Sequence, residues 1–390
     1  MFLAWVLSSL ARACGPGFAD RLLDDRAAAL LAVPDGTFAD AVQTVVPPAP
    51  GTAFVPQDGR TAAEAEWEGL SFTELGAVQA MRSASTLAEA EALGRDLPDE
   101  LRWYTAGAVA QALGDLDAAL DRFARVRALP PAERQRRGAW AAYSAARYQW
   151  PEEAARSYDE VRTLVAGGAP DPLGLAVASF GEEARHHLDD GDVPGAVARY
   201  AAQAGYGSWS GALSLLFVAR WITADDQRLA AALDDPLTAR VLVTYAWTRR
   251  AELAATGVGA ARLLAAVEAR GIDRLPDGDR LAAVAYDAGQ YDLAARALGA
   301  GTAGSTTPLA AWVRATLALR SGDLDAAAAS YAEASAAFPV IDDDWDNRAL
   351  RCRLDGERGV LALARGQYVD ALRALYGAAG RGWADHTLGN

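Results

Sequence analysis

The chain contains no lysine: all 37 of its basic residues are arginine, against 51 aspartates and glutamates, for a formal net charge of −14. An acidic excess of this size repels a phosphate backbone, so nucleic-acid binding would need a concentrated basic stripe. The densest cluster, Arg134, Arg136 and Arg137 followed by Gly138, is expected to be a solvated loop between helices. An arginine-only, alanine-rich vocabulary points to a GC-rich bacterial genome rather than to a chemical requirement.

Cysteine is scarce as well. Two residues, Cys14 and Cys352, rule out a disulfide framework and, by count, a four-thiolate zinc site. A bridge between them would have to span the whole chain and is not expected. Uninterrupted apolar runs of the roughly 20 residues that a membrane span requires are missing too.

The amino terminus is the most apolar stretch. MFLAWVLSSL is followed by Ala11, Arg12, Ala13 and Cys14. Small residues at Ala11 and Ala13 fit a secretory cleavage site just before Cys14, so residues 1–13 are read as a leader and the protein as exported. Cys14 is then the candidate lipid anchor. Against lipidation, Ala11 stands where leucine is expected and Arg12 where a small residue is expected; against any leader, no basic residue precedes the apolar run.

What is abundant is alanine, within a composition that is 52% apolar. Alanine favours helix and lets helices approach closely, so strand-rich folds are disfavoured. The segment VPPAPGTAFVP, from Val46 to Pro56, is too rich in proline for helix. It is expected to be an extended connector that separates a head, residues 14–60, from a body, residues 61–390. In the body, apolar residues recur at helical spacing and are interrupted every 12 to 20 residues by Gly, Pro or Asp. That is the rhythm of helix hairpins.

In WYTAGAVAQALGDLDAALDRFARVRALPP, the residues Trp103, Gly107, Gly114, Ala119, Phe123 and Pro131 fall at the spacings of the tetratricopeptide pattern of about 34 residues. Gly107 and Ala119 are expected where the two helices cross, with Trp103 and Phe123 filling the adjoining space and Pro131 ending the second helix. The skeleton returns with Gly322, Ala327, Tyr331 and Pro339, and GDLDAA is identical at Gly114 to Ala119 and Gly322 to Ala327. Looser copies begin at Trp150, Gly191, Gly289 and Gly366, making six related hairpins. Between about 205 and 274 the signature fades, although GALSLLFVARWI, PLTARVLVTYAWTRR and GAARLLAAVEARG remain helical; these are read as diverged helices of one continuous array, with a domain break as the alternative.

Over residues 100–378 the pattern resembles tetratricopeptide repeat proteins. The resemblance implies an all-α fold, an α-α superhelix of stacked antiparallel helix hairpins whose first helices line a concave groove for a protein or peptide. Carried over position by position, the groove-facing residues are Tyr104, Gln111, Arg185 and Trp312. Cys14-Gly15-Pro16 with RLLDDR, AGAVA at Ala106 to Ala110, and PDPLGLAVASFGEEAR at Pro170 to Arg185 resemble an uncharacterised group of bacterial exported repeat proteins, which implies the cell envelope and supplies no activity.

Motifs that would carry chemistry mostly fail. Gly207-Ser208-Trp209-Ser210-Gly211 has tryptophan where a nucleophile elbow needs serine. Gly299, Gly301 and Gly304 follow a helix, not a strand, and read as an inter-helix loop. His186 and His187 point about 100° apart on a helix, leaving His187 with Glu183 as the only plausible ligand pair, which is too few for a metal site. Asp342, Asp344 and Asp346 lack the glycine and glutamate of a calcium loop, and are expected to cap a helix starting near Arg348. The leading expectation is a non-enzymatic binding scaffold without cofactor or metal. The alternatives are a metal-dependent enzyme built on Glu182, Glu183 and His187, and an assembly protein that oligomerises through its end hairpins.

Overall fold

The computed structural model describes residues 36–378, apart from 58, 251–252, 254–258, 272–276, 301–305 and 338–344. Residues 1–13, Cys14 and the Asp342 to Asp344 acids lie outside the described residues. So do Gly301 and Gly304, whereas Gly299 lies inside the helix Tyr291–Ala300 and not in the inter-helix loop expected from the sequence.

The described residues are all-α, with no strand among them. By their internal contacts they form two compact units, Thr37–Val241 and Leu242 onward with Gly36.

In the first unit, α1 (Phe38–Gln43) is followed by an extended stretch and then by α2 (Ala62–Trp67), α3 (Phe72–Arg82) and α4 (Leu87–Leu93). Three hairpins come next: α5 (Asp99–Ala112) with α6 (Leu116–Arg127), α7 (Gly138–Ala146) with α8 (Pro151–Ala166), and α9 (Leu175–Asp189) with α10 (Val193–Gly205). They are followed by α11 (Trp209–Thr223) and α12 (Asp226–Ala232), and α13 (Pro236–Thr248) runs on into the second unit. There, α14 (Gly259–Arg270) precedes hairpins α15 (Gly278–Asp287) with α16 (Tyr291–Ala300), α17 (Pro308–Ser321) with α18 (Leu324–Ala337), and α19 (Trp345–Ala364) with α20 (Tyr368–Ala378). Thus each of the six repeat signatures sits at the turn of a helix hairpin, and the three fading segments are helices. Helix α19 starts at Trp345, three residues before the expected Arg348.

The turns explain the signature. Gly114, Gly191, Gly289, Gly322 and Gly366 all have positive φ, between 73° and 83°, which glycine adopts without a Cβ penalty. In each case the following residue donates its N–H back across the helix end, as Asp115 does to the Ala110 carbonyl at 3.0 Å and Asp323 to Ala318 at 2.9 Å. This is the Schellman closure of a helix. Asp115, Asp192 and Asp323 then turn to the next helix, their carboxylates accepting the N–H of Ala118, Gly195 and Ala326. One Gly-Asp pair therefore ends one helix and caps the next.

Small residues set the crossing. Seven positions before each turn glycine stands Gly107, Ala184, Ala282, Ala315 or Gly359, and five positions after it stands Ala119, Ala196, Ala294, Ala327 or Ala371, all buried. A Cβ on Gly107 would lie 2.7 Å from Phe123 Cε1, and one on Gly359 2.6 Å from Leu375 Cγ. Phe123 and Tyr331 fill the cores beside these crossings. Trp103 is half-buried and held between the guanidinium groups of Arg102 and Arg125, 4.1 and 4.6 Å from its ring.

The proline-rich connector does not hold a head apart from a body. It runs back along the hairpins of the first unit. Arg240 donates to the Val45 carbonyl at 3.0 Å, and the Val46 carbonyl occupies the place a Cβ on Gly205 would take. Thr52 shares a 2.7 Å hydrogen bond with the Tyr206 hydroxyl, and Phe54 packs on the same ring. The backbone from Val55 to Gln57 lies against Gly174, and Arg136 reaches the Gly69 carbonyl at 3.1 Å. Prolines leave no N–H to be satisfied in such a strap, and the glycines opposite let backbone meet backbone.

The cluster at Arg134 to Arg137 is not the solvated loop expected from the sequence. Arg137 is 4% exposed, its guanidinium 4.7 Å from the Trp140 ring and donating to the Glu66 carbonyl, while Glu100 accepts its backbone N–H. Arg134 pairs with Glu160 at 2.8 Å and Arg136 with Glu74 at 3.0 Å. These arginines are structural ties, because arginine can satisfy several acceptors at once from a buried stem.

Candidate functional site: a groove on the first helices

The first helices of two hairpins, α5 and α7, together with α2 and α3, enclose an open groove of about 970 Å³ in the first unit. From α5 come Tyr104, Ala108 and Gln111; from α7 and the turn after it come Trp140, Tyr143, Ser144, Arg147 and Tyr148. Helices α2 and α3 close the far side with Glu66 and Arg82.

The floor is aromatic and locked. Tyr104 packs against Phe123 at 5.9 Å and stands edge-on to Trp140 at 5.7 Å between ring centres, an offset geometry favoured by ring quadrupoles. Burial pushes the Tyr104 phenol up, with the buried Glu66 adding to the shift. Glu66 is held by Arg82 at 2.6 Å. Burial, and then Glu182 facing its hydroxyl, likewise push the Tyr143 phenol up. Both phenols stay protonated at neutral pH.

The rim is polar. Gln111 donates to the Tyr148 hydroxyl at 2.9 Å, tying the end of α5 to the turn after α7. Arg147 is exposed beside them. Beyond Tyr143, on α9, Arg185 has a 68% exposed side chain and lies 3.5 Å from Glu182.

The structure thus brings Tyr104 and Gln111 together in one groove, and sets Arg185 beside Tyr143 on the next first helix. Trp312 is elsewhere. It is 1% exposed in the core of the second unit, edge-on to Tyr331 at 5.9 Å, so it packs a hairpin instead of facing a groove. Trp140, Tyr143, Arg147 and Tyr148 were missed because the turn after α7 has no glycine to fix the register; Pro151 at the start of α8 does that work.

The suspected ligand pair has other partners. Glu183 is buried between Arg162 at 3.0 Å and Arg199 at 2.8 Å, while His187 Nδ1 pairs with Asp192 at 2.8 Å. Among the described residues no group of three or more His, Cys, Asp or Glu side chains is arranged to hold a metal ion, and no helix is long and apolar enough to cross a membrane. Ser208, in the glycine-flanked motif, is the N-cap of α11.

No protein-family model and no curated protein matches this chain. What the groove offers is read from its own residues: protonated phenols, an indole, an amide and the exposed Arg147 guanidinium around an apolar floor, with Arg185 next to it on α9.

Proposed function

We propose that the protein is a non-enzymatic scaffold of the tetratricopeptide type that holds a protein segment in the groove formed by α5 and α7. The observation that carries this reading is the convergence of Tyr104, Gln111, Tyr143 and Tyr148, from two successive first helices, on one open channel. Such a channel suits an extended or helical segment whose side chains enter between the aromatic rings. Exposed Arg147 and Arg185 favour a segment bearing carboxylates. An envelope location belongs to the same proposal, and rests on the leader-like residues 1–13.

The test is a crosslinking pull-down with the whole chain beside a Gln111→Ala, Arg147→Glu, Tyr148→Ala variant, whose side chains are half-buried or exposed and so replaceable without opening the core. A protein held by the wild type and lost by the variant supports the groove. Equal capture by both overturns it.

A further inference from the structure

Among the described residues, helix α11 carries an exposed ridge of large apolar side chains, covered only at its Trp221 end, where the Arg228 guanidinium stacks 4.2 Å from the ring centre. Trp209 is 69% exposed, Leu213 37%, Phe217 59% and Trp221 45%. They stand four residues apart, so they form one continuous i, i+4 row. On the opposite side Ala212, Leu215, Ala219 and Ile222 are buried, so the helix already packs its core face and the ridge is a second apolar face. None of its members lines the groove on α5 and α7.

We propose that this ridge is the interface of a symmetric dimer, paired with the same helix of a second copy running antiparallel. Two features favour a second copy over another occupant. The first is the symmetry of the row: turned end over end about Leu215, Trp209 exchanges with Trp221 and Leu213 with Phe217. A twofold interface requires such a self-complementary patch, and rows of i±4 side chains interdigitate in the commonest helix-pair geometry, crossing at about −50°. The second is area. From the side-chain areas of aromatic residues, the four exposed fractions leave about 500 Å² of apolar surface on each copy, or roughly 1,000 Å² for the pair, which reaches the threshold of a specific interface. A patch of about 500 Å² is as large as the largest apolar patch of a typical monomer, and such patches often serve as interaction sites. A lipid surface fits less well, since the chain is acidic overall and Arg220 is the one cation within the helix, where an interfacial helix needs a basic polar face.

The pairing is tested on the whole chain by light scattering after size exclusion at micromolar concentrations. The wild type is expected to run as a dimer, and Phe217→Glu and Leu213→Arg each as a monomer, with association weakened at least about tenfold and melting unchanged. Because Leu213 faces Phe217 of the other copy, mixing the two variants places the new cation against the new anion and leaves one Leu–Phe pair intact. The mixture is therefore expected to recover the dimer. A monomeric wild type, including one that binds phosphatidylcholine–phosphatidylglycerol vesicles instead, overturns the proposal, as does a dimer indifferent to Phe217→Glu. Failure of the mixture to recover overturns the antiparallel register. Neither substitution touches the groove, so partner capture there and dimerisation here can fail separately.

Discussion

The ring of Phe123 stands where a side chain at Gly107 would begin, its Cε1 2.7 Å and Cδ1 2.8 Å from the Cβ position. The first hairpin can close only around hydrogen at that point. Gly107→Leu is expected to cost at least about 1–3 kcal/mol through overpacking, read as a fall in the denaturant midpoint at unchanged slope. Stability equal to the wild type would mean that α5 and α6 do not cross there.

The turn glycines make a different demand. A Cβ on Gly114 meets nothing within 4 Å, yet its φ is +83°. Gly114→Ala is therefore expected to cost about 1 kcal/mol from backbone conformation alone. Asp115→Ala, which removes the cap on α6, is expected to cost about 1 kcal/mol as well. Urea melts of both variants check this.

At Gly205, backbone meets backbone, and neither side can rotate away. Gly205→Ala is expected to lift the Val46 carbonyl off α10 while leaving the hairpins helical. Limited proteolysis should then cut between 46 and 56 faster than in the wild type, with little change in circular dichroism. Unchanged cutting would mean that the strap is not held at this point.

Glu74 gives a pH signature. The Ser71 N–H, and then Arg136, hold its carboxyl below the ordinary value of 4.5 despite some burial. A depressed folded value means that the stabilisation is complete above the unfolded value and is lost as pH falls through the folded one. Glu74→Gln is thus expected to be less stable than the wild type at pH 7, with the gap closing at acid pH. Urea denaturation at the two extremes measures it. Glu100 and Asp171, whose carboxyls burial raises, act in the opposite direction in both proteins and cancel from the comparison.

Much of the fold was legible because the turn chemistry is local. A glycine at positive φ followed by an aspartate marks a hairpin wherever it occurs, and the alanines at fixed offsets follow from how closely two helices can approach. The groove was half legible. Spacing put Tyr104 and Gln111 on the helix that lines the groove, but which side chains meet them depends on the neighbouring hairpin, whose turn has proline where the others have glycine. Trp312 shows the limit of carrying positions over: its indole turned inward to Tyr331, where burial of a large ring is worth more than exposure. Arg137 shows another, since nothing local distinguishes a buried, many-partnered arginine from a solvated one. The strap was illegible for the same reason. Thr52 and Tyr206 are 154 residues apart, and no short-range pattern links them.

A stack of hairpins in which each touches only its neighbours behaves as a one-dimensional chain, free to fray from an end and to melt in pieces. The segment from Val45 to Gly69 breaks that rule for the first unit, because it is hydrogen-bonded to residues 240, 206 and 136 and lies against the backbone at Gly174. Releasing any one hairpin then strips contacts from the others, so the unit should unfold in a single cooperative step. The same long-range closure delays folding, since the strap can settle only on hairpins that already exist.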